Sequence, residues 1–93
     1  MQYVMVRWAH DFPDDPVVYY SELGEDRYET RKVQVFRDGR MEWADDQHES
    51  DTVGLSEIAF PPLEEIAAQP EFSPTVIDAG EFEAVWRQAV AES

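Results

Sequence analysis

Residues 27–44 read Arg-Tyr-Glu-Thr-Arg-Lys-Val-Gln-Val-Phe-Arg-Asp-Gly-Arg-Met-Glu-Trp-Ala, and their reading decides the fold. Arg27 to Phe36 is rich in β-branched and aromatic residues and predicts a strand. Asp38-Gly39 is the strongest two-residue hairpin signal in the chain, because glycine enters the left-handed region at no steric cost. Arg40 to Ala44 then pairs back as a further strand. Upstream, Val17 to Leu23 reads as a strand joined to this hairpin by the short loop Gly24-Glu25-Asp26. His-Asp-Phe-Pro-Asp-Asp-Pro (10–16) is a turn, with two prolines lacking donors and Asp side chains that bond locally. Before it, Gln2 to Ala9 alternates Val4, Val6 and Trp8 on one side with Tyr3, Met5 and Arg7 on the other. Connections this short predict an antiparallel meander, since parallel neighbours need long crossovers.

The second half changes character. Residues 45–60 form an acidic loop with a candidate fifth, edge strand at Leu55 to Ile58. Pro61-Pro62 opens a helix over Leu63 to Gln69, and Pro70 ends it. Asp78 stands three residues before Glu81, a cap arrangement. Phe82, Val85, Trp86, Ala89 and Val90 then form one apolar stripe on a helix reaching about Ala91. The expected architecture is α+β: a single domain over 1–93, with a four- to five-stranded antiparallel meander and one sheet face covered by the C-terminal helices. An edge at 55–58 or at 2–9 offers a route to pairing across a two-fold axis, and the oligomeric state stays open.

Charge narrows the function. The 93 residues carry seven Lys and Arg against 21 Asp and Glu, a net −14. Residues 1–40 contribute −2 of this and residues 41–93 contribute −12, where Arg87 is the one basic side chain. An apolar fraction of 43% shows that the charge does not signal disorder. Such a charge argues against nucleic acid or an anionic membrane as partner. Cysteine is absent, which excludes disulfides, thiolate metal sites and a cysteine nucleophile. No apolar run approaches membrane-spanning length, and the N-terminus lacks a basic-then-apolar export signal, so a chain that neither spans a membrane nor is exported by that route is expected.

Candidate chemistry is sparse. By parity Glu29 and Arg31 share a strand side with Val33 and Val35, and with His10 and Glu22 they are expected to converge near one end of the sheet. A His–carboxylate–Arg set suits acid–base work or an anionic ligand. The plainer reading of these residues is a cross-strand ion-pair network, and a bulge would reverse the parity. The clusters His10, Asp11, Asp14, Asp15 and Asp45, Asp46, His48, Glu49, Asp51 lack calcium-loop or zinc spacing, so no metal or cofactor is expected. No serine lies in a Gly-x-Ser-x-Gly turn, Lys32 sits mid-strand beside charges, and the four glycines are scattered. Nothing points to a reaction. The carboxylates Asp45, Asp46, Glu49, Asp51, Glu57, Glu64 and Glu65, with Trp43 as an aromatic anchor, are instead suited to a basic protein partner. Against this, the same charge serves solubility, and a core position is the plainer reading of Trp43.

Val-Arg-Trp-Ala-His-Asp-Phe-Pro-Asp-Asp-Pro (6–16), Tyr-Ser-Glu-Leu (20–23), Arg-Tyr-Glu-Thr-Arg-Lys-Val (27–33), Phe-Arg-Asp-Gly (36–39), Leu-Glu-Glu-Ile (63–66) and Glu-Phe-Glu-Ala-Val-Trp (81–86) together resemble a domain-of-unknown-function family of small bacterial proteins. The resemblance spans nearly the whole chain and implies a free-standing cytoplasmic protein with no activity to transfer. Three functions stand side by side: an inhibitor or regulator of a basic protein, as in immunity proteins; a small enzyme or ligand-binding domain using His10, Glu22, Glu29 and Arg31; and a structural domain.

Overall fold

A computed structural model describes residues 1–49 and 53–92. Four strands follow one another as expected, β1 (Gln2–Trp8), β2 (Pro16–Leu23), β3 (Glu29–Phe36) and β4 (Met41–Asp45). After the acidic segment come a short helix α1 (Leu63–Ala67), a strand β5 (Phe72–Ile77) and the long helix α2 (Ala79–Glu92). The sheet is antiparallel in the order β4-β3-β2-β1-β5. The protein is therefore α+β, and among the described residues no helix is long and apolar enough to cross a membrane.

The turns follow from their residues. Gly39 takes a positive φ of 91°, and its N–H donates to the Phe36 carbonyl at 2.9 Å. The Phe36 N–H donates to the Arg40 carbonyl at 2.8 Å, so the loop has three residues, with glycine in the left-handed position. At the β2–β3 turn the left-handed residue is Arg27, at φ 66°, and the Asp26 carboxylate accepts from the Tyr28 N–H.

The fifth strand is not the candidate at 55–58, which lies outside the ladder. It is β5, and it pairs with β1, running from Tyr3 opposite Ile77 to Trp8 opposite Phe72. Pro74 hides this strand in the sequence, but an edge strand tolerates a residue without an N–H. Since β5 takes the place beside it, β1 is interior, and the edges are β4 and β5.

The helices divide between the faces. Val4, Val6 and Leu23 form a buried cluster on one face, covered by Phe60, Leu63, Ile66 and Phe72. On the other face α2 lays Phe82 against Tyr3, with ring centroids 5.4 Å apart, and sets Trp86 edge-on to Trp43 at 5.2 Å. Phe82 and Ala89 are fully buried, whereas Val90 at the end of the stripe is exposed. Asp78 caps α2 as expected, its Oδ1 accepting from the Glu81 N–H at 2.8 Å. α1 ends at Ala67, two residues before the expected limit.

Candidate functional site

Antiparallel register determines which side chains share an end of the sheet. Gln2 stands opposite Leu23, Leu23 opposite Glu29, Arg31 opposite Asp45 and Tyr3 opposite Ile77. The β2–β3 turn with Glu25 and Asp26, the segment leaving β4 with Asp46 and Glu49, and the β5–α2 junction with Asp78 and Glu81 therefore lie together. The 53–62 segment returns to the same end: the Ser56 N–H donates to Glu29 Oε1 at 2.8 Å and the Phe60 N–H to the Arg27 carbonyl at 2.8 Å. It brings Glu57 there and starts α1, whose first turn carries Glu64 and Glu65. All of these carboxylates are exposed except that of Asp45, which is half-buried.

Among the described residues, Arg27 and Arg31 are the basic side chains that the strand ends bring here; Arg31 is taken up by Glu22 and Glu83, and neutral acceptors occupy Arg27. It donates to the Phe60 carbonyl at 3.1 Å, the Pro61 carbonyl at 3.0 Å and Gln2 Oε1 at 2.9 Å. Arg7, Arg37 and Arg40 stand at the opposite end. Asp45 and Glu49 also shape their own loop, accepting from the Gln47 and Leu55 N–H groups at 2.9 Å each. Among the described residues, Asp46, Glu57, Glu64 and Glu65 engage no side-chain partner. Asp51 lies outside the described residues. Trp43 is half-buried, stacked on His48 at 3.8 Å and packed on Trp86, which makes it part of the α2 face.

The expected convergence of His10, Glu22, Glu29 and Arg31 does not occur. A bulge lies where the pairing passes from Glu22–Arg31 to Leu23–Glu29, and it turns Glu29 to the face away from α2. There Glu29 accepts from Ser21 Oγ at 2.8 Å. His10 follows the far end of β1, seven residues beyond Tyr3 or about 23 Å along an extended chain. Its Nδ1 accepts from the Phe12 N–H at 3.0 Å, so Nε2 carries the hydrogen and donates to the Pro16 carbonyl at 2.8 Å.

Only Glu22 and Arg31 meet, and they recruit Glu83 from α2. Arg31 binds Glu22 through Nε at 2.9 Å and Nη2 at 2.5 Å, and it also bridges to Glu83. Its guanidinium lies 4.9 Å from the Phe82 ring centroid and 5.0 Å from that of Trp86. Hydrogen bonding to Arg31 holds the Glu22 carboxyl below the usual carboxylate range against the opposing effect of burial, with Thr30 adding a 2.7 Å bond. The same arginine lowers Glu83, and the two carboxylates raise Arg31. Burial and the charge of Glu22 push the Tyr3 phenol up. These interactions fasten α2 to the sheet through Arg31. Among the described residues no group of His, Asp and Glu is placed to hold a metal ion.

Residues 2–91 match the family model DUF6881, a domain of unknown function. The chain belongs to this family. The match takes in all five strands, α1 and α2 up to its last residue, and thus both the carboxylate end and the Arg31 network. Comparison with curated proteins and with solved structures finds no match.

Two features escape a reading of the sequence. Glu83 gives no sign of its role, because its partner lies 52 residues away on another element. Lys32, expected among charges, lies in the wall of a largely apolar cavity on the Glu29 face. The bulge that moves Glu29 beside it has no signature in residue type.

Proposed function

We propose that this protein binds a cationic protein surface through the carboxylate end of its sheet, and that it inhibits or regulates that partner without catalysing a reaction. One observation carries the reading: separate chain segments deliver exposed carboxylates to one end, where Arg27 is already occupied by neutral acceptors and Arg31 by Glu22 and Glu83. Crowding like charges there costs stability, and a solubilising charge has no need of such crowding. A concentrated field of one sign steers an oppositely charged partner and sets its orientation. We favour an encounter in the bacterial cytoplasm, in line with the resemblance to small bacterial proteins, and an inhibitor of the immunity type that covers the basic surface of a nuclease.

The test measures association with the basic proteins encoded beside the gene. With a true partner, raising salt from about 50 to 500 mM should slow association at least roughly tenfold, as screening shortens the reach of the field. The quadruple variant D46N/E57Q/E64Q/E65Q, which alters only exposed side chains outside the hydrogen-bond network, should slow it at low salt and flatten the salt dependence. Absence of binding to every such protein, or binding indifferent to both salt and the substitutions, would overturn the proposal.

A further inference from the structure

Between the sheet and the segment that covers the Val4–Val6–Leu23 face lies a cavity of about 170 Å³, open on one side to solvent. Val6, Phe60, Pro61, Ile66 and Phe72 give it apolar walls, and three polar side chains of the sheet (Ser21, Glu29 and Lys32) converge on it with Tyr19. The three are mostly removed from water: Ser21 is 2% exposed, and the Glu29 and Lys32 side chains are 3% and 18% exposed.

Their hydrogen bonding is one-sided. Glu29 is satisfied on both oxygens, Oε2 by Ser21 Oγ and Oε1 by the Ser56 N–H, each at 2.8 Å. Lys32 is not. Its ammonium stands 3.9 Å from Glu29 Oε1, beyond hydrogen-bond distance, and 5.4 Å from the Tyr19 ring centroid. Among the described residues it meets no protein acceptor, although an ammonium carries three donors. The site therefore holds unfilled ammonium donors, whereas each Glu29 oxygen already accepts one bond.

Charge and size narrow the ligand further. Glu29 already balances Lys32, and a net −14 chain repels anions, so the acceptor should be uncharged. A dry cavity of roughly 150 Å³ holds one benzene ring, which puts this one at single-ring size. We infer that the cavity is a binding site for an uncharged single-ring molecule whose carbonyl or amide oxygen accepts from Lys32 while its ring lies against Phe60, Ile66 and Phe72. This site is separate from the carboxylate end and does not depend on the docking reading.

The experiment titrates the full-length, isotope-labelled protein with benzamide, toluene, benzoate and benzylammonium while following backbone amide resonances. Benzamide should shift Val6, Ser21, Lys32 and Phe72 saturably and bind at least roughly tenfold tighter than toluene, the worth of one hydrogen bond from a charged donor. In Lys32→Met that advantage should vanish while toluene binding persists. If the variant does not fold, the ranking of the four probes on the unaltered protein decides alone. Equal affinity for benzamide and toluene, a preference for either charged probe, shifts centred elsewhere, or no saturable shift would each overturn the inference.

Discussion

Replacing Arg31 by methionine keeps an unbranched apolar stem against Phe82 and Trp86 but strands the carboxylate of Glu22. That side chain is 7% exposed and Arg31 is 21% exposed, so the pair is shielded from water on both sides. Removing one member of such a pair costs about 3–5 kcal/mol, mainly because the remaining charge stays buried without a partner. Glu83 is 42% exposed and adds less than about 1 kcal/mol. The lower figure, about 3 kcal/mol, is the expectation, since Arg31 is reachable by solvent.

Urea unfolding followed by tryptophan fluorescence should show a midpoint lower by about 2–3 M for a chain of this size. The pH dependence gives the sharper test. In the native protein Glu22 titrates below its ordinary value of 4.5, so its stabilisation is present above that value and is lost as pH falls through the lower folded one. In the variant, burial acts without the cation and raises the same group, so protonation relieves the penalty as pH falls. The gap between the two proteins should narrow from pH 7 to pH 4. Adding Glu22→Leu to the variant should return it to within about 1 kcal/mol of the original. A single-substitution loss below about 1 kcal/mol, or a gap constant across that pH range, would refute the reasoning.

Phe82→Ala should cost about 4 kcal/mol by denaturant titration, since a fully buried ring leaves a cavity between α2 and Tyr3. Gly39→Ala should cost about 1 kcal/mol by the same measurement: an added Cβ meets nothing within 4 Å, so the loss comes from the positive φ alone. Arg27→Ala should release the 53–62 segment, seen as faster hydrogen exchange at the Phe60 amide with little change in the β1–β2 amides.

Period-two alternation and short turns suffice for the four-strand meander, because both signals are local. α2 is legible for the same reason: its cap and its stripe are separated by a few residues. β5 is not, because Pro74 argues against a strand wherever the neighbour on one side is unknown. Edge position is a property of the whole sheet. The candidate cluster divides in the same manner. Glu22 facing Arg31 follows from pairing two adjacent strands, whereas the bulge that removes Glu29 and the length of β1 that carries His10 away are consequences of three-dimensional register. The carboxylate end lies between these cases. Its residues are visible as an acidic second half, but their gathering depends on Arg27 drawing the 53–62 segment back to the β2–β3 turn.

The pairing of β1 with β5 also bears on the order of assembly. Its partners are more than sixty residues apart, from Trp8 with Phe72 to Tyr3 with Ile77. The loop closed by that contact is entropically costly, so the adjacent hairpins should form first and this seam last. Until then the outer side of β1, with the unpaired amides of an interior strand, is open to any passing extended peptide. A nascent or partly unfolded chain is therefore most exposed to misassociation at its first strand, and a ligand or chaperone that shields Tyr3 to Arg7 would act on yield rather than on final stability.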